Sequence, residues 1–286
     1  MTNTIKLEMP QWQGGENPNY FWGSKILAAI VPDIKGETFK IGVKENFTVT
    51  GNDRGAVFQE DALVAQFVET KQILALKQPK RVITLGGDCA TSHAPFDYLS
   101  ERYQDDLGVI WLDAHPDISS SKESKHAHEM VVTNLLGLDN TKLAKQTAHP
   151  LQPQQVLYAG LKAQDLRPMD QAVKRLQIAF LTPEKLRQDN AAVTKWLKQH
   201  HFSKVAVHFD LDVLTPADYR SILPANPHAD ISQFGAAVGS MTLSEVGQFF
   251  EELTQASELV GLTIAEHMPW DAMNLHAMLR NLAIFN

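Results

Sequence analysis

The chain carries one cysteine, Cys89, so no disulfide can form within it, and a reducing compartment is the simplest setting. No apolar run approaches the ~18 residues that cross a bilayer. The first ten residues include a lysine but no long apolar stretch, so no secretory leader is expected. A basic excess is also missing. The 26 Lys and Arg are outnumbered by 33 Asp and Glu, a net charge of -7, which argues against a nucleic-acid surface and is compatible with a cationic partner. Repeats and low-complexity linkers are absent. These absences lead us to expect a cytoplasmic protein with no nucleic acid and no membrane among its partners.

What is present is an alternation of short apolar runs and amphipathic stretches over 286 residues, a length that suits one large domain, expected to span 1–286. Strands are expected at Ile26–Val31, Arg81–Leu85, Leu107–Leu112, Gln155–Ala159, Ile178–Leu181, Lys204–Phe209 and Leu259–Ile264. Helices are expected over Ala56–Leu76, Ser92–Tyr103, His128–Leu136, Pro183–Gln199 and from about Asp271. Thr242 with Glu245 forms a capping box ahead of a further helix. Regular alternation of this kind predicts an α/β fold: one three-layer αβα domain with a mostly parallel central sheet. In such sheets ligands collect beyond the carboxyl ends of the strands.

The polar clusters all fall at such ends. Asp113, His115 and Asp117 follow an apolar strand at alternate positions, where side chains of an extended segment share a face. Carboxylates mixed with one imidazole suit Mn, Fe or Zn better than Ca. The plain alternative is a polar turn that caps a helix. Asp210 and Asp212 close another buried strand, and two carboxylates there repel unless a cation or proton compensates; a surface turn is the alternative. Gly86-Gly87 ends a third strand ahead of Asp88 and Cys89, where the thiol is a metal ligand, a reactive group or a small buried residue. His126 and His128 are candidates for moving protons, or else solvated loop residues. Glu266, after the last strand, is a candidate substrate carboxylate. The remaining histidines, His208 among them, follow no ligand spacing and are taken as surface or packing residues.

The set as a whole resembles a known family. Gly86–Cys89, Asp113–Asp117 and Phe209–Pro216 resemble, in order and spacing, the GGDH, DAHxD and S-x-D-x-D-x-x-DP motifs of the arginase/agmatinase/formiminoglutamase (ureohydrolase) family. Glu266 resembles its late strand-end glutamate. The resemblance runs from about Ile26 to the C-terminus. It implies two manganese ions, with Asp113 and Asp210 bridging, Asp117 and Cys89 completing one site, and His115 and Asp212 the other. It further implies that a bridging hydroxide attacks a guanidino or amidino carbon and breaks a C–N bond. Asp117 and His128 would serve catalysis, with His128 at the proton-shuttle position. Ser124, His126 and Glu266 would face a small cationic substrate, and a homo-oligomer is implied.

Three departures qualify this. Cys89 stands where the family has histidine, which shifts preference toward Zn or Fe; His93, one turn on, is a candidate substitute. Thr215 replaces an aspartate, and Leu223–His228 replaces the usual substrate loop. Ser124 remains, but the Ser-Gly-Asn that reads an amino-acid carboxylate is missing, so L-arginine is not the expected substrate. The alternative is a catalytically weakened or dead relative with one metal or none, acting as a binding or regulatory protein. A phosphatase of the haloacid-dehalogenase type would use Asp210 and Asp212 with a threonine one residue nearer than Thr215, and would leave Asp113–Asp117 without a role.

Overall fold

The computed structural model describes residues 3–48, 56–189, 191–282 and 284. Among these described residues, eight strands form one sheet: β1 Thr4–Met9, β2 Glu37–Lys40, β3 Arg81–Gly86, β4 Leu107–Leu112, β5 Val156–Ala159, β6 Ala179–Leu181, β7 Lys204–Asp210 and β8 Glu258–Ala265. Their order is β2-β1-β3-β8-β7-β4-β5-β6, and every pairing is parallel. Parallel strands need crossovers, so helices cover both faces. Along β4, Val109 and Trp111 pack with Leu63, Phe67 and Leu99 of α2 (Glu60–Lys77) and α3 (His93–Tyr103). The intervening Ile110 and Leu112 pack with Trp196, Val246 and Phe249 of α7 (Ala192–His200) and α8 (Leu243–Ala256). The period of two along one strand therefore feeds two cores, giving the three layers.

The predicted strands from Arg81 onward are all present, and the final helix is Trp270–Arg280. Four expectations are corrected. Ile26–Val31 is not a strand but the end of α1, Asn19–Ile30. Its apolar run misleads because only Leu27 there is buried, while Tyr20, Phe21, Gly23 and Ser24 complete the buried face and Ile30 is exposed. A Cβ at Gly23 would lie 1.6 Å from the His267 carbonyl oxygen, so this glycine lets α1 press against the chain beyond β8. Second, the sheet holds two strands beyond those expected: β1, in which Ile5, Leu7 and Met9 alternate with Lys6 and Glu8, and β2, a short, mostly exposed edge.

Third, the helix expected over Pro183–Gln199 is two, Pro183–Gln188 and α7. Asp189 separates them: its carboxylate accepts from the Ala191 N–H at 3.1 Å and its carbonyl from the Ala192 N–H at 3.0 Å, which restarts the helix. Fourth, the stretch from His128 begins as a 3-10 turn, Ala127–Met130, and is α-helical only over Val131–Leu135; the helix expected from Ala56 starts at Glu60.

The capping box of α8 is formed. The Thr242 hydroxyl accepts from the Glu245 N–H, and the Glu245 carboxylate accepts from the Thr242 N–H at 2.7 Å. Thr242→Ala is expected to lower stability by about 1 kcal/mol, read as a lower urea midpoint at unchanged slope. An unchanged midpoint would show that the Arg187–Glu245 ion pair holds this end by itself.

Candidate metal centre

Chain connections diverge between β3 and β4, since β8 and β7 come back to fill the space between them. A crevice at the carboxyl ends of these four adjacent strands is the expected ligand site of a parallel sheet. Each of the four delivers a polar segment there: Cys89 after β3, Asp113–Asp117 after β4, Asp210–Asp212 from β7, and Glu266 after β8. The segment after β3 is tied down from above. A Cβ at Gly87 would meet the Gln11 carbonyl oxygen at 1.6 Å, and Asp88 accepts from the N–H groups of Gly14 and Gly15 at 2.8 and 3.3 Å. Asp117 and Glu266 both hold left-handed backbone, φ 44° and 63°, which costs a non-glycine residue on the order of 1 kcal/mol. Backbone bonds maintain both: the Val132 N–H donates to the Asp117 carbonyl at 2.9 Å, and the Glu266 N–H to the Gly87 carbonyl at 2.7 Å.

The side chains converge. Asp113, Asp117, Asp210, Asp212 and Glu266 are only 1%, 4%, 1%, 3% and 4% exposed. Donor atoms of Asp113, His115 and Asp212 lie within 4.8 Å of one another, as do those of Cys89, Asp113, Asp117 and His208. Asp113 belongs to both groups and can bridge them. Asp210 groups in the same way with Asp212 and Glu266, and its Oδ2 lies 3.0 Å from the Cys89 Sγ. His115 Nδ1 is 3.2 Å from Asp212 and 3.4 Å from Asp113, while its Nε2 lies 3.0 Å from the Ala237 carbonyl. His128 Nδ1 lies 3.1 Å from Glu266 Oε1.

Without a cation, protons must offset the charge of these carboxylates. Burial pushes the Asp113 carboxyl up to about 7, with Asp212 adding repulsion. Burial and neighbouring carboxylates also raise Asp117 and Asp210 well above the usual range. Burial would raise Asp212 too, but His115 reverses this and holds it low; the same pairing lifts His115 against its own burial. Burial, then Asp117 and Glu266, raise the Cys89 thiol. Burial would lower His128, but Glu266 holds it at about 9. Asp117 Oδ2, Asp212 Oδ1 and His208 Nε2 are buried with no hydrogen-bond partner. Buried carboxylates with orphaned oxygens, beside imidazole and thiol, are the donor set that a divalent cation satisfies.

The centre opens into a cavity of about 190 Å³, lined by Tyr20, Cys89, His115, Asp117, His128, Asp210, Asp212 and Glu266, with Glu129, Arg167, Leu223, Phe234 and Ala236 also in its wall. Two residues proposed for substrate lie outside it. Ser124 donates to Glu129 at 2.5 Å, and Glu129 in turn pairs with Arg167 at 2.6 Å. The His126 ring packs edge-on against Phe58. His93 does not reach the centre in place of Cys89: it lies 2.6 Å from the Thr147 hydroxyl and against Phe67. His208, taken as a packing or surface residue, is fully buried with Nε2 4.0 Å from Asp113 and 3.9 Å from Asp210. In sequence His208, Asp210 and Asp212 alternate as Asp113, His115 and Asp117 do. Arg167, bound to Glu129 and Asp170, was not singled out and carries no motif that would have found it.

The model of the Arginase family matches residues 29–277. An arginase of Staphylococcus aureus (strain MRSA252) is 21% identical over 227 residues, covering 77% of this chain and 71% of that protein. Among solved structures, the arginase of Entamoeba histolytica in complex with L-ornithine superposes with a TM-score of 0.78 at 17% identity, covering 94% of this chain and 92% of that one. Formimidoylglutamase of Bacillus subtilis superposes with a TM-score of 0.68 at 12% identity, covering 94% and 80%. At these identities the structural likeness establishes the fold, and the family match extends over most of the sequence. The chain belongs to the arginase family.

Proposed function

We propose that this protein hydrolyses a C–N bond of a small guanidino or amidino compound, using two divalent cations held by Cys89, Asp113, His115, Asp117, Asp210 and Asp212. One observation carries this: four buried aspartates from two strand ends meet beside imidazole and thiol, with carboxylate oxygens left unpartnered. When bound, the cations make water nucleophilic near neutral pH. Manganese is the family expectation, with Zn or Fe favoured where Cys89 contributes.

The chain's own groups supply the rest. Asp113 and Asp210 would help to hold the cations, and Asp117 would orient the reacting water. Glu266 faces the cavity and attracts the amidinium. His128, whose Nδ1 lies 3.1 Å from Glu266, would deliver a proton to the departing nitrogen. Ser124 acts through Glu129 and not by contact, and His126 supports His128 from behind, their ring centroids 5.9 Å apart. The same proposal has the protein working in the cytoplasm as a homo-oligomer; among the described residues, no helix is long and apolar enough to cross a membrane.

A second possibility, a weakened relative that only binds, draws on the Cys89 thiol, whose Sγ lies 3.0 Å from Asp210 and 3.2 Å from Glu266 and whose single proton can be donated to one of them without a cation. Metal analysis of protein produced with Mn, Zn or Fe, joined to a panel of guanidines and amidines, separates the two. Two ions per chain and release of urea or an analogous product are expected. One ion or none, without turnover on any compound, would establish the binding protein instead. Cys89→His is expected to raise manganese occupancy; unchanged manganese would mean that position 89 does not limit it.

A further inference from the structure

Within the cluster, His208 occupies the position at which the S-x-D-x-D motif has its serine, two residues before Asp210. We propose that His208 is a direct ligand, through Nε2, of a cation held with Cys89, Asp113 and Asp117. The nitrogen donor missing after β3 is thereby replaced from β7, and the chain builds a mixed sulfur, nitrogen and carboxylate site. This rests on the cluster holding cations, as proposed above.

Four observations converge on it. The ring is fully buried, yet Nε2 has no hydrogen-bond partner. Leaving such an atom unsatisfied costs about 1–3 kcal/mol, which a bound cation removes. The atom is aimed at the site, 4.0 Å from Asp113 Oδ2 and 3.9 Å from Asp210 Oδ2. Asp117 Oδ2 is orphaned in the same space, and one donor each from Cys89, Asp113, Asp117 and His208 lies within 4.8 Å of the others.

The ring is also held as a ligand is held. It stacks on Trp111, its partner across the sheet, with centroids 3.7 Å apart and planes 13° apart. Its Nδ1 lies 2.7 Å from the Ser92 hydroxyl. When Nδ1–H donates to that oxygen, the lone pair of Nε2 faces the carboxylates; an outer partner of this kind fixes the tautomer of ligating histidines. Ser92 sits in the same turn as Cys89, Cys89–Ser92, so one short segment presents the thiol and orients the imidazole. Four donors with one thiolate and one imidazole favour zinc or cobalt(II) over manganese.

The test is metal binding to the full chain, using zinc for stoichiometry and affinity and cobalt(II) for its thiolate charge-transfer absorption. Wild type is expected to bind two zinc ions, with a thiolate band in the cobalt form. His208→Ser is expected to lose one zinc per chain, its affinity there falling about 100-fold or more, because even partners outside the ligand shell cost 10–100-fold. The double variant Cys89→His/His208→Ser restores a nitrogen after β3 and should regain the second ion without the band. Ser92→Ala leaves the ring in place and should weaken the same site about 10-fold, a readout that stands if His208→Ser does not fold. Retention of both ions at wild-type affinity by His208→Ser, or by Ser92→Ala where that variant alone folds, would reduce His208 to packing. A wild type with two ions but no thiolate band would overturn the mixed site and remove Cys89 from the ligand set, while leaving a two-cation hydrolase standing. A wild type that binds no cation would end both.

Discussion

Asp210→Asn is expected to lose at least one bound cation per chain and about 1,000-fold or more in turnover, while the metal-free variant becomes more stable than metal-free wild type. The loss follows from position. Asp210 Oδ2 lies beside Cys89, and the residue groups with Asp212 and Glu266, so it links the donors of both proposed ion positions. A cation that stabilises developing charge is worth several kcal/mol, and each 1.36 kcal/mol is tenfold in rate. The gain in metal-free stability follows from electrostatics. Burial, then Asp212 and Glu266, disfavour the ionised Asp210, and a neutral amide escapes that repulsion. A purely structural aspartate would lose stability in both states. Elemental analysis, steady-state rates and melting temperatures with and without chelator read the three effects. Full metal content with unchanged turnover would remove Asp210 from the centre.

The second large effect is the pH dependence of the metal-free protein. Asp113 rises from 3.8 to about 7 through burial and the charge of Asp212, and Asp88 also rises to about 7 through burial, with Glu266 adding repulsion. A carboxyl raised in the folded state contributes stability that is complete below its unfolded value and is lost as pH rises through the folded one. Burial holds His93 and His208 at about 4 and about 3, and groups lowered in this way act oppositely until pH reaches their unfolded value near 6.5, so chelated protein should lose stability chiefly as pH rises from about 6.5 through 7. His128, held at about 9, extends the decline to higher pH by the same sign. The lowered carboxylates Glu129, Glu245 and Glu258 act oppositely, but only as pH falls through their own reduced values. Added divalent cation should reverse the loss at neutral pH, since the charge it supplies favours ionised carboxylates. A melting temperature that is flat from pH 5 to 8 in chelator, and indifferent to metal, would mean that the cluster is compensated from within.

Much of the centre was legible in sequence because its parts are local. Asp113, His115 and Asp117 lie within one short segment, as do Asp210 and Asp212, and each follows a strand marked by an apolar run, unbroken in β4 and interrupted in β7 by His208. Where local composition failed, it failed for one reason. Ile26–Val31 has the residues of a strand, but α1 buries a helical stripe through Tyr20, Phe21 and Leu27, and the close approach allowed by Gly23 sets its place. His126 and His128 are two residues apart and looked alike, yet one packs on Phe58 and the other pairs with Glu266, which follows β8. No periodicity distinguishes them, because the partner that decides lies 138 residues away.

The amino-acid sequence by itself determined the alternation of strands and helices, the parallel sheet that such alternation requires, and the strand ends at which acidic residues collect. These follow from short-range rules: period, capping and the chemistry of neighbouring residues. Tertiary structure alone decided that β8 and β7 would fill the gap between β3 and β4, which brings Cys89, Asp113, Asp210 and Glu266 into one crevice. It alone turned His208 toward the carboxylates and left His93 with Thr147. Strand order is set by the packing of both faces at once, and the environment of a side chain by residues far away along the chain.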